Sequence, residues 1–220
     1  MGPSAMPAAN QIARKEMTHA VCVAVVYHSG FGHTRRQAEA VHAGAGSVMG
    51  VRSTLIPVED INAHWRQLES VDAIIFGAPT YMGSASAPFK AFMDASAQTV
   101  LPRSAWKDKL AAGFTNAASR SGDKLNTLQQ LAIFAAQLGM HWINLGLPPG
   151  HDNSTSSEES MNRHGYFLGA AAQSDADVGA DVGATAADLK TSAYLGARVA
   201  RVALQLSAGR AELAKAALTV

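Results

Sequence analysis

Apolar residues come in short continuous runs along this chain, and polar, glycine-bearing turns separate them. Runs that are apolar at consecutive positions, rather than at alternate ones, are typical of strands buried on both faces. The runs lie at residues 21–26, 51–56, 71–77, 110–115 and 142–145. They predict five strands alternating with helices, which favours a parallel sheet covered by helices on both sides.

Helical spacing of apolar residues is clearest from Leu125 to Leu138 and from Ala186 to Leu206. Between these two helices, residues 146–186 are polar or rich in glycine and alanine, with little periodicity. We therefore expect a long loop inserted after the fifth strand.

The length and composition are those of one globular domain. The chain has 220 residues, 48% of them hydrophobic, which is enough for one sizeable core. We predict this domain over residues 18–208. Residues 1–17 are expected to be a disordered leader or a cloning remnant, and residues 209–220 a C-terminal tail.

Charge and cysteine content narrow the class of protein. The 18 basic and 17 acidic residues nearly cancel, so nothing indicates a nucleic-acid surface or an acidic electron carrier. No apolar run is long enough to span a membrane. The single cysteine, Cys22, cannot form an internal disulfide, which fits a cytoplasmic protein.

The turn after the first strand has the composition of a phosphate site. A turn that opens a helix collects unpaired backbone N–H groups at the positive end of the helix dipole. Ser29 and Thr34 can add hydroxyl donors, and Gly30 and Gly32 allow the backbone to approach a ligand closely.

Two further strands end in similar polar loops, at residues 79–84 and 115–122. In an open parallel sheet, these loops and the loop at residues 28–34 emerge at the same carboxyl edge, where ligands bind. Three such loops favour a phosphorylated, planar cofactor over purely structural turns.

These loops resemble those of the WrbA-type NAD(P)H:quinone oxidoreductases, a family of the flavodoxin-like superfamily. The segments that carry the resemblance are residues 27–34, 77–83, 114–122 and 138–140. The resemblance implies a flavodoxin-like three-layer α/β/α sandwich with a five-stranded parallel sheet in the order 2-1-3-4-5. It also implies non-covalently bound FMN, NADH or NADPH as electron donor, and a homotetramer.

In the family, the first loop binds the FMN phosphate, the second lies along the isoalloxazine ring, and the third contacts the ring edge and the ribityl-phosphate side. The resemblance thus assigns FMN binding to Ser29, Gly30, Phe31, Gly32, His33, Thr34, Pro79, Thr80, Tyr81, Met82, Gly83, Asn116, Ala117, Ala118, Ser119 and Gly122. Phe31 falls where family members meet the nicotinamide. We assign no catalytic side chain and no metal ligand, because the flavin carries the hydride chemistry.

The chain departs from the family pattern around the substrate pocket. Gln137 and Leu138 stand where many members have two histidines, and Tyr81 stands where an arginine is common. Val100 or Leu101 replaces a tryptophan that walls the pocket.

The function expected from the resemblance is FMN-dependent two-electron reduction of a quinone-like small molecule by NAD(P)H. Three alternatives stay open: a flavodoxin-like electron carrier, a reductase of free flavin, azo or nitro compounds, and a non-enzymatic interaction protein with the same fold.

Overall fold

The computed structural model describes residues 20–217. The predicted leader at residues 1–17 and the last three residues of the predicted tail lie outside this range. Over the described residues, no helix combines the length and the apolar character needed to cross a bilayer.

Parallel strands form the centre of the molecule in the predicted order, which is confirmed. The strands are β1 (Val21–Tyr27), β2 (Val51–Pro57), β3 (Ala73–Tyr81), β4 (Ser84–Ala85), β5 (Leu110–Ala117), β6 (His141–Trp142) and β7 (Ala170–Gln173). The path across the sheet is β2-β1-β3-β5-β6, with β4 folding back on β3 and β7 pairing with β5. Both β6 and β7 run parallel to β5, so together they fill the fifth position of the sheet.

Helices cover both faces of this sheet. They are α1 (His33–Gly46), α2 (Trp65–Ser70), α3 (Ala87–Thr99), α4 (Lys124–Gln137), α5 (Ala180–Gly183) and α6 (Ala186–Ala217), with 3-10 turns at Val58–Ala63 and Leu101–Arg103. The helix α6 continues to Ala217, so it extends into the predicted C-terminal tail.

Buried side chains alternate between the two faces along each central strand. Ile74 and Phe76 of β3 join one apolar cluster with α2, α3 and α4, while Ala73 and Ile75 join another with α1 and α6. The continuous apolar runs therefore supply both faces of a sheet covered on both sides.

The fifth position differs from the sequence-based expectation. The strand predicted at residues 142–145 is only His141–Trp142, because the Leu145 amide donates to Phe167 of the insertion instead of to β5. Residues 170–173, expected to belong to a loop, form β7 beside the end of β5. The insertion thus returns to the sheet and completes its carboxyl edge.

Candidate functional site

The loop between β1 and α1 is shaped for a close backbone approach. Gly32 caps α1 with a left-handed φ of 88°, a conformation that favours glycine. The Ser29 hydroxyl oxygen accepts the backbone N–H of Arg35 at 3.0 Å, so its own proton remains free to donate. A Cβ atom at position 30 would lie 2.7 Å from the Tyr81 hydroxyl, so a larger residue there would displace the Tyr81 side chain.

The second loop is a tight turn after β3. Met82 and Gly83 both have positive φ and join Tyr81 to Ser84 in a two-residue hairpin. Met82 is fully exposed, and neither turn residue lines the cavity described below.

Thr80 of the second loop is anchored beneath the cavity. Its hydroxyl lies 2.8 Å from those of both Thr115 and Thr127, and the Thr115 hydroxyl donates to the Ala78 carbonyl. The network fixes the ends of β3 and β5 relative to α4.

The third loop begins at the end of β5. Asn116 is buried, and its amide donates to the Ser174 hydroxyl at 2.8 Å, which joins this loop to the residue after β7. Ser119 and Gly122 of the same loop lie outside the cavity lining.

One cavity of about 440 Å³ lies where the three loops meet. This volume is in the usual range for small-molecule sites, roughly 300–1,000 Å³. The predicted residues that it brings together are Ser29, Phe31, His33, Thr34, Pro79, Thr80, Tyr81, Asn116, Ala117 and Ala118. Gly30 and Gly32 shape the first loop without lining the cavity.

A fourth wall was missed by the sequence analysis. Ser174, Ala176 and Val178 line the cavity from the segment that follows β7. The Nε2 atom of His33 lies 3.0 Å from the Val178 carbonyl, which can only accept, so Nε2 carries the proton of this hydrogen bond. No sequence signal marked this wall, because the alanine-rich β7 has no strand-like composition.

Two aromatic rings form the rim of the cavity. Phe31 is 78% exposed and meets Tyr81 edge-on, with 6.2 Å between the ring centroids. Burial raises the pKa of the Tyr81 hydroxyl, and a backbone hydrogen bond with Gly30 opposes that rise. The rim is therefore apolar, neutral and open to a planar ligand.

His28 lies under the first loop, away from the cavity lining. Its Nδ1 atom is 2.8 Å from the Ser86 hydroxyl, and its Nε2 atom is 3.5 Å from Glu59. Burial lowers the pKa of His28, with Glu59 acting in the opposite direction. This side chain connects β1 to α3 rather than facing a ligand.

The insertion supports the third loop through polar contacts. Arg120 pairs with Glu158 at 2.9 Å, and the Tyr166 hydroxyl donates to the Ser121 carbonyl at 2.9 Å. The insertion is thus part of the framework of the site.

Apart from Tyr81, which lines the cavity, the positions that depart from the family pattern lie away from it. Val100, Leu101 and Gln137, with Leu138, line shallow grooves between α3 and the end of α4. Trp106 is fully buried in the aromatic core. Within one chain, none of these residues reaches the rim formed by Phe31 and Tyr81.

In the part of the chain that the structure describes, acidic, histidine and cysteine side chains do not converge on a metal site. Across residues 20–217, no group of three or more such side chains is placed to hold an ion.

Comparisons with known proteins agree with this geometry. The family model described as NADPH-dependent FMN reductase matches residues 50–148. A relative named "Flavodoxin FldP", from Pseudomonas aeruginosa (strain UCBPP-PA14), is 40% identical over 188 residues, which are 84% of this chain and 97% of the relative. A relative named "NAD(P)H dehydrogenase (quinone)", from Paracoccus denitrificans (strain Pd 1222), is 30% identical over 210 residues, covering 86% of this chain and 96% of the relative.

A solved structure, described as the flavodoxin, WrbA-like protein from Agrobacterium tumefaciens, superimposes with a TM-score of 0.66. It is 40% identical, and the match covers 84% of this chain and 98% of that one. These matches cover most of this chain and nearly all of each matched protein. The chain therefore belongs to the WrbA-type NAD(P)H:quinone oxidoreductase family of the flavodoxin-like superfamily.

Proposed function

We propose that this protein is an FMN-dependent oxidoreductase that takes two electrons from NAD(P)H and passes them to a quinone. The observation that carries the proposal is the meeting of three loops around one cavity at the N-terminus of α1. The relatives named as quinone dehydrogenases and the matching FMN reductase family support flavin-dependent oxidoreduction as the general chemistry.

The residues present fit an FMN phosphate at the first loop. This phosphate cradle, the loop at residues 28–34, has glycines at positions 30 and 32, where a Cβ atom would meet Tyr81 and Ala180. The start of α1 supplies backbone N–H groups and positive dipole potential. The Thr34 hydroxyl and the free Ser29 proton add donors at the same end of the cavity.

The remaining lining suits a flat ring. Pro79 and Thr80 at the end of β3 and Asn116 and Ala117 at the end of β5 line the cavity from neighbouring strands. When bound, FMN supplies the transfer of hydride and electrons between the nicotinamide and the acceptor. The chain holds the ring and excludes water with its buried walls.

The exposed rim provides a place for the nicotinamide and then the quinone. Phe31 and Tyr81 present ring surface to solvent at the cavity mouth, as stacking on a planar substrate requires. Both substrates are planar, so one rim can receive them in turn. No side chain of the chain needs to act as an acid or a base in this scheme.

Electron transfer without substrate turnover is the second candidate. Two matched proteins, the relative from Pseudomonas aeruginosa and the Agrobacterium tumefaciens structure, are described as flavodoxins. The near-zero net charge of this chain argues against it, because a carrier that docks by charge needs an excess of one sign. Reduction of free flavin, azo or nitro compounds at the same site is a further variant of the enzyme hypothesis.

We also propose that the protein works as a homotetramer in the cytoplasm. Val100, Leu101, Gln137 and Leu138 occupy positions that the family pattern places around the substrate pocket, yet they line grooves outside the cavity of their own chain. A neighbouring copy could bring these grooves to the rim. Exposed apolar residues close to them, Leu101 and Ile133, suit such a contact.

An anaerobic titration tests the function. FMN is added to the purified protein, followed by NADH or NADPH, and flavin absorbance is recorded before and after addition of benzoquinone. Bleaching by the nicotinamide and rapid recovery with the quinone are expected. Flavin binding without bleaching would favour the carrier, and no flavin binding would contradict the proposal.

A charge placed at Thr34 tests where the phosphate binds. Thr34→Glu should abolish FMN binding, because the carboxylate would repel the phosphate in the same cradle. Thr34→Gln is the matched control, since it has nearly the same shape without the charge. Circular dichroism checks that both variants fold, and retention of FMN by folded Thr34→Glu would show that the phosphate lies elsewhere.

A further inference from the structure

A group of buried charges lies next to the cavity and has no part in the function proposed above. This buried charge cluster consists of Lys124, Arg163, His164 and Asp188. Lys124 begins α4 directly after the third loop, Asp188 lies in the first turn of α6, and the other two belong to the insertion.

Lys124 is bound to the strand that carries the fourth cavity wall. Its side chain is fully buried, and its Nζ atom donates to the Ala172 carbonyl at 3.2 Å. Ala172 is the register partner of Asn116, which lines the cavity, and lies two residues before Ser174, which also lines it. The ammonium group is therefore hydrogen-bonded to a strand residue whose register partner lines the cavity.

The carboxylate of the cluster is already paired with another cation. Arg163 donates to both carboxylate oxygens of Asp188 at 2.9 Å. The backbone N–H of Gln173 donates to the same carboxylate at 3.0 Å, and the Nε2 atom of His164 lies 3.3 Å from it. Glu158, the other partner of Arg163, is at the surface and is shared with Arg120. Among residues 20–217, no acidic side chain forms an ion pair with Lys124, so the buried part of the cluster keeps an excess positive charge.

We propose that Lys124 is a positioning residue whose buried positive charge stabilises the reduced form of the bound flavin and so raises its reduction potential. This inference rests on the proposed function, because it needs FMN in the cavity. Reduction adds negative charge to the flavin ring system, and a fixed cation in a poorly solvated wall interacts with that charge more strongly than a surface cation would. The expected effect is on the order of a tenfold change in the ratio of reduced to oxidised flavin.

The charge on Lys124 is expected to disappear at moderately high pH. Burial lowers the pKa of Lys124 to about 8, Asp188 of α6 opposes this, and Arg163 of the insertion adds to it. His164 and the Tyr166 ring face the same region, the ring centroid being 6.0 Å from Nζ. The stabilisation of the reduced flavin by Lys124 should therefore be present at pH 7. It should weaken as the pH rises through 8, because the ammonium group then loses its proton.

The test is the reduction potential of bound FMN, measured anaerobically against reference dyes at pH 7 and pH 9. Lys124→Met should lower the potential at pH 7 by about 30 mV, which corresponds to a tenfold change for a two-electron couple. Lys124→Arg, which keeps the charge, should stay close to the unaltered protein. The difference between Lys124→Met and the unaltered protein should shrink at pH 9.

Lys109 offers a matched control. It is also partly buried, donates to two backbone carbonyls, those of Glu69 and Val71, and has a pKa lowered by burial, but it lies away from the cavity. Lys109→Met should leave the flavin potential unchanged. An equal loss of potential in both methionine variants would overturn the proposal, as would an unchanged potential in Lys124→Met.

The unaltered protein gives an independent reading if Lys124→Met does not fold. Its potential should fall more steeply over about one pH unit above pH 8 than on either side of that interval, because Lys124 there gains a proton when the flavin is reduced. Lys124→Arg should lack this steeper interval. A single slope from pH 6 to 10 would then overturn the inference. Failure of the unaltered protein to bind FMN would instead overturn the proposed function.

Discussion

The two faces of the sheet are packed in different ways. On the face covered by α2, α3 and α4, large rings fill the space, with Phe92 stacked or tilted against Trp65, Phe76 and Trp106. On the face covered by α1 and α6, the core is mainly alanine, valine and leucine.

Small residues let the second pair of helices come into backbone contact. A Cβ atom at Gly196 of α6 would overlap the Val41 carbonyl of α1, and one at Gly44 of α1 would overlap the Ala193 carbonyl of α6. The start of α1 is also part of the cavity lining through His33 and Thr34. The rings of the first face therefore contribute mainly stability, while the small-residue face also sets the position of the candidate phosphate cradle.

The largest expected effect is on the ring-filled face. Phe92→Ala should cost about 3–5 kcal/mol of unfolding free energy, because it removes a buried ring that contacts several others. Urea denaturation measures this cost, with Phe92→Leu as the milder variant if the alanine form does not fold. FMN affinity of the folded variant should be unchanged, and a large loss of affinity would show that the two faces are not separable in this way.

A smaller stability effect with a functional consequence is expected at the helix crossing. Gly196→Ala should cost about 1–3 kcal/mol, since α1 and α6 must move apart to accept the methyl group. It should also weaken FMN binding several-fold, because α1 carries the cradle. Fluorescence titration with FMN measures the second effect. Unchanged FMN affinity together with lowered stability would show that the position of the cradle does not depend on the crossing of α1 and α6.

The smallest effect is expected farther along the same helix. Gly209 of α6 has no atom within 4 Å of an added Cβ, so Gly209→Ala should stabilise the protein by about 0.5–1 kcal/mol through helix propensity. Thermal unfolding measures this change. Destabilisation at Gly209 would mean that glycine loss harms α6 generally, and the effect at Gly196 could then not be assigned to the crossing.

Strong local signals made much of the fold predictable. The runs that become β1, β3 and β5 are apolar at nearly every position, and the glycine-bearing turn at residues 28–34 leads directly into a helix. The carboxyl ends of parallel strands lie at the same edge of a sheet. The sequence alone therefore predicted that the three loops would lie close together.

The features that the sequence did not predict depend on contacts between residues that are distant in sequence. The strand β7 is three alanines and a glutamine, and it is a strand only because β5 offers unpaired backbone groups beside it. In the sequence, nothing distinguishes Lys124 from an exposed lysine at the start of a helix. It is buried because the insertion, with Tyr166, folds over it. Periodicity cannot reveal either feature.

The shared fifth position of the sheet affects how such a chain can change during evolution. The chain leaves the sheet after β6, beside the start of β5, and returns in β7, beside its end. Residues between these strands can be lengthened or shortened without shifting the register of any other pair, and the entropy of closing a loop rises only slowly with its length. A lineage can thus remodel the surroundings of the third loop through this insertion while β1, β3 and α1 keep their packing.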